Sequence, residues 1–126
     1  MQPWVHWFEI PVSDLGRAKR FYEAIFGVEL ALMEPAPGLK MALFPGTGDT
    51  MAGGGSLIEL PGFYQPGTTG PMLYLDGGAD LSVILDKVDS HGGKVLIPKR
   101  QISVERGFMG VFNDTEGNRL ALHSMA

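Results

Sequence analysis

The sequence predicts an α+β fold of two β-α-β-β-β modules, which form a curved mixed sheet with a concave cleft and helices on its outer face. An apolar strand-like run, residues 6–12, is followed by a helix signal that begins at Asp14 and ends at Gly27. The same signal returns between Asp80 and Gly93, with the same spacing of thirteen residues. A strand-like run follows each glycine. The chain therefore contains an internal repeat of about sixty residues.

The first module is predicted over residues 4–60. Asp14 is placed to accept backbone N–H bonds at the start of its helix, and Gly27 suits the left-handed residue that commonly ends one. The helix has one apolar face, which consists of Leu15, Ala18, Tyr22 and Ile25. Three strands are predicted after it, over residues 28–33, 39–44 and 56–60.

Residues 61–71 are predicted to link the modules, because three prolines and three glycines interrupt any regular element there. Phe63 and Tyr64 lie in this linker and either cover a ligand cavity or anchor the linker on the sheet. The second module is predicted over residues 72–124. Its predicted elements are a strand 72–75, a helix 80–91, strands 95–97, around 101–106, 108–112 and 119–123, and a turn at Gly107.

Composition narrows the function classes. A chain of 126 residues predicts a single domain spanning residues 1–126. The net charge of −4 without a basic cluster argues against nucleic acid as a partner. No apolar run approaches the roughly twenty residues of a membrane span, and no leader pattern is seen, so we expect a cytoplasmic protein. The absence of cysteine excludes disulfides and thiolate metal ligands.

Several of these features together resemble one superfamily. They are the Asp-Leu helix start, Phe21-Tyr22 inside the helix, the closing glycine, and the ending Asn-Asp-Thr-Glu-Gly-Asn-Arg-Leu-Ala-Leu at residues 113–122. The chain is similar over residues 4–124 to the vicinal oxygen chelate superfamily, which includes glyoxalase I, bleomycin-resistance proteins and extradiol dioxygenases. The resemblance implies the fold, a small-molecule ligand in the cleft and, for a short member, a homodimer. It does not imply one reaction, because a fold hosts many functions.

Metal-dependent members of that superfamily hold one divalent ion with a His, a Glu or Gln, a second His and a Glu. Carried over by position, the resemblance places Trp7, Met72 and Ala121 at three of these sites. Glu59, or Ile58 if the register shifts by one residue, falls at the fourth. None of the first three suits a divalent ion of this kind, so we expect no standard metal site and no cofactor.

His6 lies one residue from the first ligand position. Because side chains alternate along a strand, His6 is expected on the face opposite Trp7, and it would serve as a ligand only after a register slip.

Polar residues near these positions are the candidates for a site. Glu9 and His123 are predicted on the cleft face, with Tyr74 beside them, and a carboxylate within apolar strands needs a partner. Three interpretations stay open: contact with a ligand, a structural Glu9–His123 pair, or a displaced metal site formed by Glu9, Glu59 and His123. Glu9 and His123 also suit general acid–base catalysis. The predicted ligand-binding residues are Trp7, Glu59, Phe63, Tyr64, Met72 and Tyr74.

Three functions follow as hypotheses. The first is a metal-independent protein that binds a small, partly aromatic molecule, for which an acidic cleft with Trp7 and Tyr74 favours a planar cation. The second is a lyase or isomerase similar to glyoxalase I, working with a displaced divalent metal or with Glu9 and His123. The third is a non-catalytic accessory module.

Overall fold

The computed structural model describes residues 4–46 and 54–126 and has the predicted α+β architecture of two β-α-β-β-β modules. Residues 47–53 of the predicted first module lie outside the described residues. The elements of the first module are β1 (Trp7–Pro11), α1 (Leu15–Phe26), β2 (Ala31–Ala36), β3 (Leu39–Leu43) and β4 (Gly54–Glu59). Those of the second are β5 (Tyr74–Asp76), α2 (Ser82–Leu85), β6 (Lys94–Ser103), β7 (Gly107–Asn113) and β8 (Arg119–Ser124).

The strands form two four-stranded mixed sheets with equivalent strand orders, β1-β4-β3-β2 and β5-β8-β7-β6. In each sheet the first strand of the module runs parallel to the last, and the remaining neighbours are antiparallel. This equivalence confirms the repeat that the sequence indicates.

Helix α1 begins and ends at the predicted residues. The Asp14 side chain accepts a hydrogen bond from the backbone N–H of Arg17 at 3.0 Å. Gly27 adopts a φ of 67°, and its N–H donates to the carbonyl of Glu23. These two caps need only local sequence, which explains why they were predictable.

The predicted helix over residues 80–91 is wrong in detail. Only Ser82–Leu85 is α-helical, and a separate 3-10 turn follows at Asp89–His91. Between them, the N–H groups of Lys87 and Val88 bond the carbonyls three residues earlier. Gly92, with a φ of 102°, ends the segment within the predicted Gly92-Gly93 stop. The 3-10 turn replaces the last predicted turn of α-helix, where Asp and Ser are weak helix formers.

Two strand predictions also require correction. The runs 95–97 and 101–106 do not form separate strands, since residues up to 103 belong to the continuous strand β6, which is paired with β7 through register shifts. Pro98 lies within β6, which is at a sheet edge, where a missing N–H is tolerated. Edge strand β2 likewise includes Pro35 and turns at Gly38, with a φ of 82°.

The helix-covered faces of both sheets share one core. Helix α1 packs on β3 and β4 and also reaches the second module, where the rings of Phe21 and Phe112 lie 6.1 Å apart. The buried residues of this core come from both helices and both sheets. The other face of each sheet therefore points outward, and Glu9 and His123 lie on different outward faces. Within the described residues, no helix is long and apolar enough to cross a membrane.

The turn after β7 holds the modules together. The hydroxyl of buried Tyr22 donates to Asp114 at 2.7 Å. Glu116 accepts hydrogen bonds from the backbone N–H groups of Ser13 and Asp14 and from the guanidinium of Arg17 at 2.8 and 2.9 Å. Burial disfavours the ionised Glu116, but the hydrogen bonds from Arg17, Thr115 and the backbone outweigh it and hold its pKa at about 2.

We expect this junction to weaken in acid. The depressed pKa of Glu116 contributes stability that is present above its ordinary value of 4.5 and is lost as the pH falls towards about 2. Chemical unfolding of wild type and Glu116→Gln should show a large stability difference at neutral pH that shrinks in acid. Glu29→Gln, at an exposed position, serves as the control. A pH-independent difference between wild type and Glu116→Gln would contradict the assignment.

Candidate functional site

Glu9 lies in the middle of the edge strand β1, on the outward face of the first sheet. The register pairs it with Ser56 of β4, while Trp7 and Pro11 on the same face pair with Gly54 and Ile58. Glu9 is half-buried, and its Oε1 accepts a hydrogen bond of 2.6 Å from the hydroxyl of Tyr64. That hydrogen bond, with smaller effects of burial and of the Glu9 charge, raises the pKa of Tyr64.

The hydrogen bond to Glu9 distinguishes the two aromatic residues of the linker. Tyr64 is half-buried and anchors the linker on the first sheet. Phe63 packs edge-to-face on Tyr64, with ring centroids 4.9 Å apart, and stays 74% exposed. Phe63 therefore lies on the surface beside Tyr64.

Glu9 retains unused hydrogen-bonding capacity. Its Oε2 has no hydrogen-bond partner in the part of the chain that the structure describes. The neighbouring Ser56 hydroxyl is fully buried and also has none there. Buried polar atoms are normally paired, and exceptions point to a functional use or to a bound water. A carboxylate oxygen and a hydroxyl therefore lie next to each other on this face.

A cavity beside Glu9 lies between the modules. It has a volume of about 490 Å³ and is bounded by the β1 edge, the linker and the start of β8. This volume falls within the range of small-molecule sites. Its lining residues are Phe8, Glu9, Ile10, Pro11, Gln65, Pro66, Gly67, Thr68, Thr69, Pro71, Leu73, Asn118, Arg119 and Leu120.

Asn118 fixes the walls of this cavity. Its Oδ1 accepts from the N–H of Gly67 at 3.0 Å, and its Nδ2 donates to the carbonyl of Pro11 at 2.7 Å and to Asp114 at 3.0 Å. One buried side chain thus joins the linker, β1 and the turn before β8. Sequence reasoning missed Asn118 and Arg119 as site residues, although both follow the Asp-Thr-Glu-Gly turn that carried the resemblance.

The predicted Glu9–His123 pair does not form. Nε2 of His123 donates to the carbonyl of Arg106 at 2.6 Å, whereas Glu9 bonds Tyr64. His123 lines a separate groove on the second sheet together with Tyr74, which is 55% exposed. The two residues lie on different outward faces because the modules share their helix-covered sides. An acid–base pair between them is therefore not available within one chain.

Two other predicted ligand contacts lie elsewhere. Glu59 points to the helix side of its sheet, where its carboxylate accepts the backbone N–H of Leu15 at 2.8 Å and caps α1. Met72 packs against an apolar cluster on the second sheet that contains Met109, Val111 and Ala121. The displaced metal set of Glu9, Glu59 and His123 is thus not assembled, and no cluster of three or more potential ligands occurs in residues 4–46 and 54–126.

Comparison with known proteins agrees with the architecture. Residues 4–122 match the model of the Glyoxalase/Bleomycin resistance protein/Dioxygenase superfamily. The chain belongs to this superfamily. A glyoxylase-like domain-containing protein from Didymella fabae is 30% identical over 118 residues, which cover 90% of this chain and 88% of that protein.

Solved structures of other proteins share the fold. TnmS3, an antibiotic binding protein from Streptomyces sp. CB03234, is 24% identical with a TM-score of 0.65, and the alignment covers 98% of this chain and 97% of that one. A glyoxalase/bleomycin resistance protein from Albidiferax ferrireducens T118 is 13% identical with a TM-score of 0.72, over 98% and 100% of the two chains.

The residues at the superfamily's metal positions do not fit a divalent ion. Trp7 and Ala121 offer no ligand atom, and the thioether of Met72 suits a soft ion. Glu59 and Ile58 were the two alternatives for the fourth position. Ile58 shares the outward face with Glu9, whereas Glu59 points to the helix side. These four residues cannot form the Lewis-acid centre of the metal-dependent members.

Proposed function

We propose that the protein binds a small, partly aromatic molecule that carries a cationic group, without the superfamily's metal. The observation that carries this proposal is the half-buried Glu9 carboxylate, which accepts a hydrogen bond from Tyr64 through one oxygen and lines a cavity of about 490 Å³. A partly desolvated carboxylate attracts a cation more strongly than one in water. The antibiotic-binding activity of the similar TnmS3 supports the proposal.

Aromatic groups lie in and around the cavity. Phe8 lines it, while Trp7, on the outward face of Glu9, and Tyr64, which donates a hydrogen bond to Glu9, lie beside it. Rings of this kind stack on planar ligands and attract cations through their faces. Tyr74, also predicted to contact the ligand, lies on the other outward face and would meet the same ligand only if a second copy brought it there.

The test is the change Glu9→Gln. Gln keeps an oxygen that accepts from Tyr64, so the fold should hold or become slightly more stable when the charge is removed. The affinity for a cationic planar ligand should fall about tenfold or more, because the charge-assisted contact is lost. Thermal-shift screening of a library of planar compounds against wild type and variant measures both effects.

A control variant shows whether the effect is specific to Glu9. Glu29→Gln removes a carboxylate from an exposed position and should leave every hit unchanged. Hits that stabilise wild type and Glu9→Gln equally would disprove the role of Glu9. A screen without any hit would favour the non-catalytic accessory module instead.

We also propose a homodimer. Large apolar side chains are exposed on the outward faces, among them Met33 (50%) and Ile102 (47%). Burying them against a second copy would remove apolar surface from water. In a twofold dimer, the outward face of the first module in one copy would then lie opposite that of the second module in the other copy. Light scattering after size exclusion tests the state. The predicted cytoplasmic location stays a prediction.

A further inference from the structure

We infer that the cavity between β1, the linker and β8 selects ampholytes, which are small molecules carrying a cationic group and an anionic group on one apolar body. This inference rests on the proposed function, because it assigns the cation to Glu9. It adds a second recognition element, the guanidinium of Arg119, which would bind a carboxylate or a similar oxyanion.

The two charges are held apart. Glu9 comes from β1 and Arg119 from the first residue of β8, and both line the same cavity. No ion pair joins them, and the Arg119 guanidinium has no other side-chain partner in the described ranges 4–46 and 54–126. Opposite charges on one small cavity that do not neutralise each other are each available to a ligand. An ampholyte satisfies both.

The space between the charges suits a compact apolar body. Phe8, Ile10, Leu73 and Leu120 supply apolar wall, and the polar contribution of the linker comes from Gln65, Thr68 and Thr69. A small aromatic ring fits easily within about 490 Å³. A guanidinium presents paired donors that match the two oxygens of a carboxylate, which gives the anionic end a preferred orientation.

The walls are organised before a ligand arrives. Asn118 is only 7% exposed and hydrogen-bonds the linker at Gly67 and β1 at Pro11, next to Arg119 in sequence. A site whose walls are already fixed loses less conformational entropy on binding. The backbone positions of Glu9 and Arg119 are consequently set by the fold, and the site should favour ligands whose two charges can reach both side chains at once.

Three probes of matched shape test the inference: benzylamine, benzoate and 4-(aminomethyl)benzoate. Their dissociation constants are measured by titration followed by NMR against wild type, Arg119→Gln, Glu9→Gln and a control, Arg100→Gln, at an exposed position outside the cavity. We expect wild type to bind the ampholyte about tenfold more tightly than either single-charge probe. Arg119→Gln should reduce ampholyte affinity to that of benzylamine, and Arg100→Gln should change nothing.

The outcomes separate the inference from the proposed function. If benzylamine and the ampholyte bind equally and Arg119→Gln has no effect, the ampholyte site is overturned while a cation site at Glu9 stands. If neither cation-bearing probe binds, or if Glu9→Gln leaves their binding unchanged, the proposed function fails together with the inference. If Arg119→Gln and Arg100→Gln lower ampholyte affinity equally, the loss comes from the change in net charge and not from the cavity. That result would also overturn the site.

Discussion

Replacing Asp114 by alanine should lower the free energy of unfolding by about 3–5 kcal/mol, because several buried hydrogen bonds lose their acceptor at once. Asp114 is 4% exposed. Its Oδ2 accepts from the Tyr22 hydroxyl and from Asn118 Nδ2, and its Oδ1 accepts from the N–H groups of Glu116 and Asn118. The change would leave the fully buried Tyr22 hydroxyl without an acceptor and release the turn that joins the modules.

Two controls sharpen this expectation. Tyr22→Phe removes one of the four hydrogen bonds and should cost about 0.5–1.5 kcal/mol. Asp86→Ala, at an exposed position without a side-chain hydrogen bond in the described residues, should stay within about 0.5 kcal/mol of wild type. Urea unfolding of these variants and of the Tyr22→Phe/Asp114→Ala double variant yields the coupling energy. A cost for Asp114→Ala below that of Tyr22→Phe would show that the turn does not hold the modules.

Local sequence signals predicted the parts of the fold that local chemistry determines. Asp14 and Gly27 define α1 because a cap requires only neighbouring backbone groups. The resemblance placed the last turn and the last strand correctly, since the ending at residues 113–122 is itself a turn followed by a strand. The second helix was predicted too long because Leu81, Leu85 and Val88 have the spacing of a regular helix face, and they do pack in the core. That spacing does not show that the N–H groups of Lys87 and Val88 bond carbonyls three residues earlier.

The candidate site was only partly predictable, because it depends on how the two modules pack. Alternation along β1 placed Glu9 on the correct face, but no sequence pattern indicated that His123 would face away from it. Glu59 was off by one residue in register, which moves a side chain to the opposite face of a strand. The cavity with Arg119 is bounded partly by the linker, whose path is fixed by the Tyr64–Glu9 and Asn118–Gly67 hydrogen bonds and not by any periodicity.

Because the modules are closely packed, glycine-to-alanine substitution should have opposite effects on stability at Gly93 and at Gly16. A Cβ added at Gly93 would lie 2.6 Å from the carbonyl oxygen of Asn113, 2.8 Å from Val88 Cγ1 and 2.9 Å from Phe21 Cε1. A backbone oxygen and two core side chains cannot all move away cheaply, since protein interiors are close-packed. Gly93→Ala should therefore cost about 2–4 kcal/mol of unfolding free energy.

The matched control is Gly16→Ala in the first turn of α1. There the added Cβ would meet only ordinary contacts, 3.5 Å from Arg20 Nη1 and 3.6 Å from Asp14 Oδ1. Alanine also restricts the unfolded chain more than glycine does, so this change should stabilise the protein by about 0.4–1 kcal/mol. Thermal and urea unfolding of both variants give the comparison. If Gly93→Ala is tolerated as well as Gly16→Ala, α1 does not pack against the second module as closely as the contact with Phe21 requires, and the outward orientation of the Glu9 and His123 faces loses its structural basis.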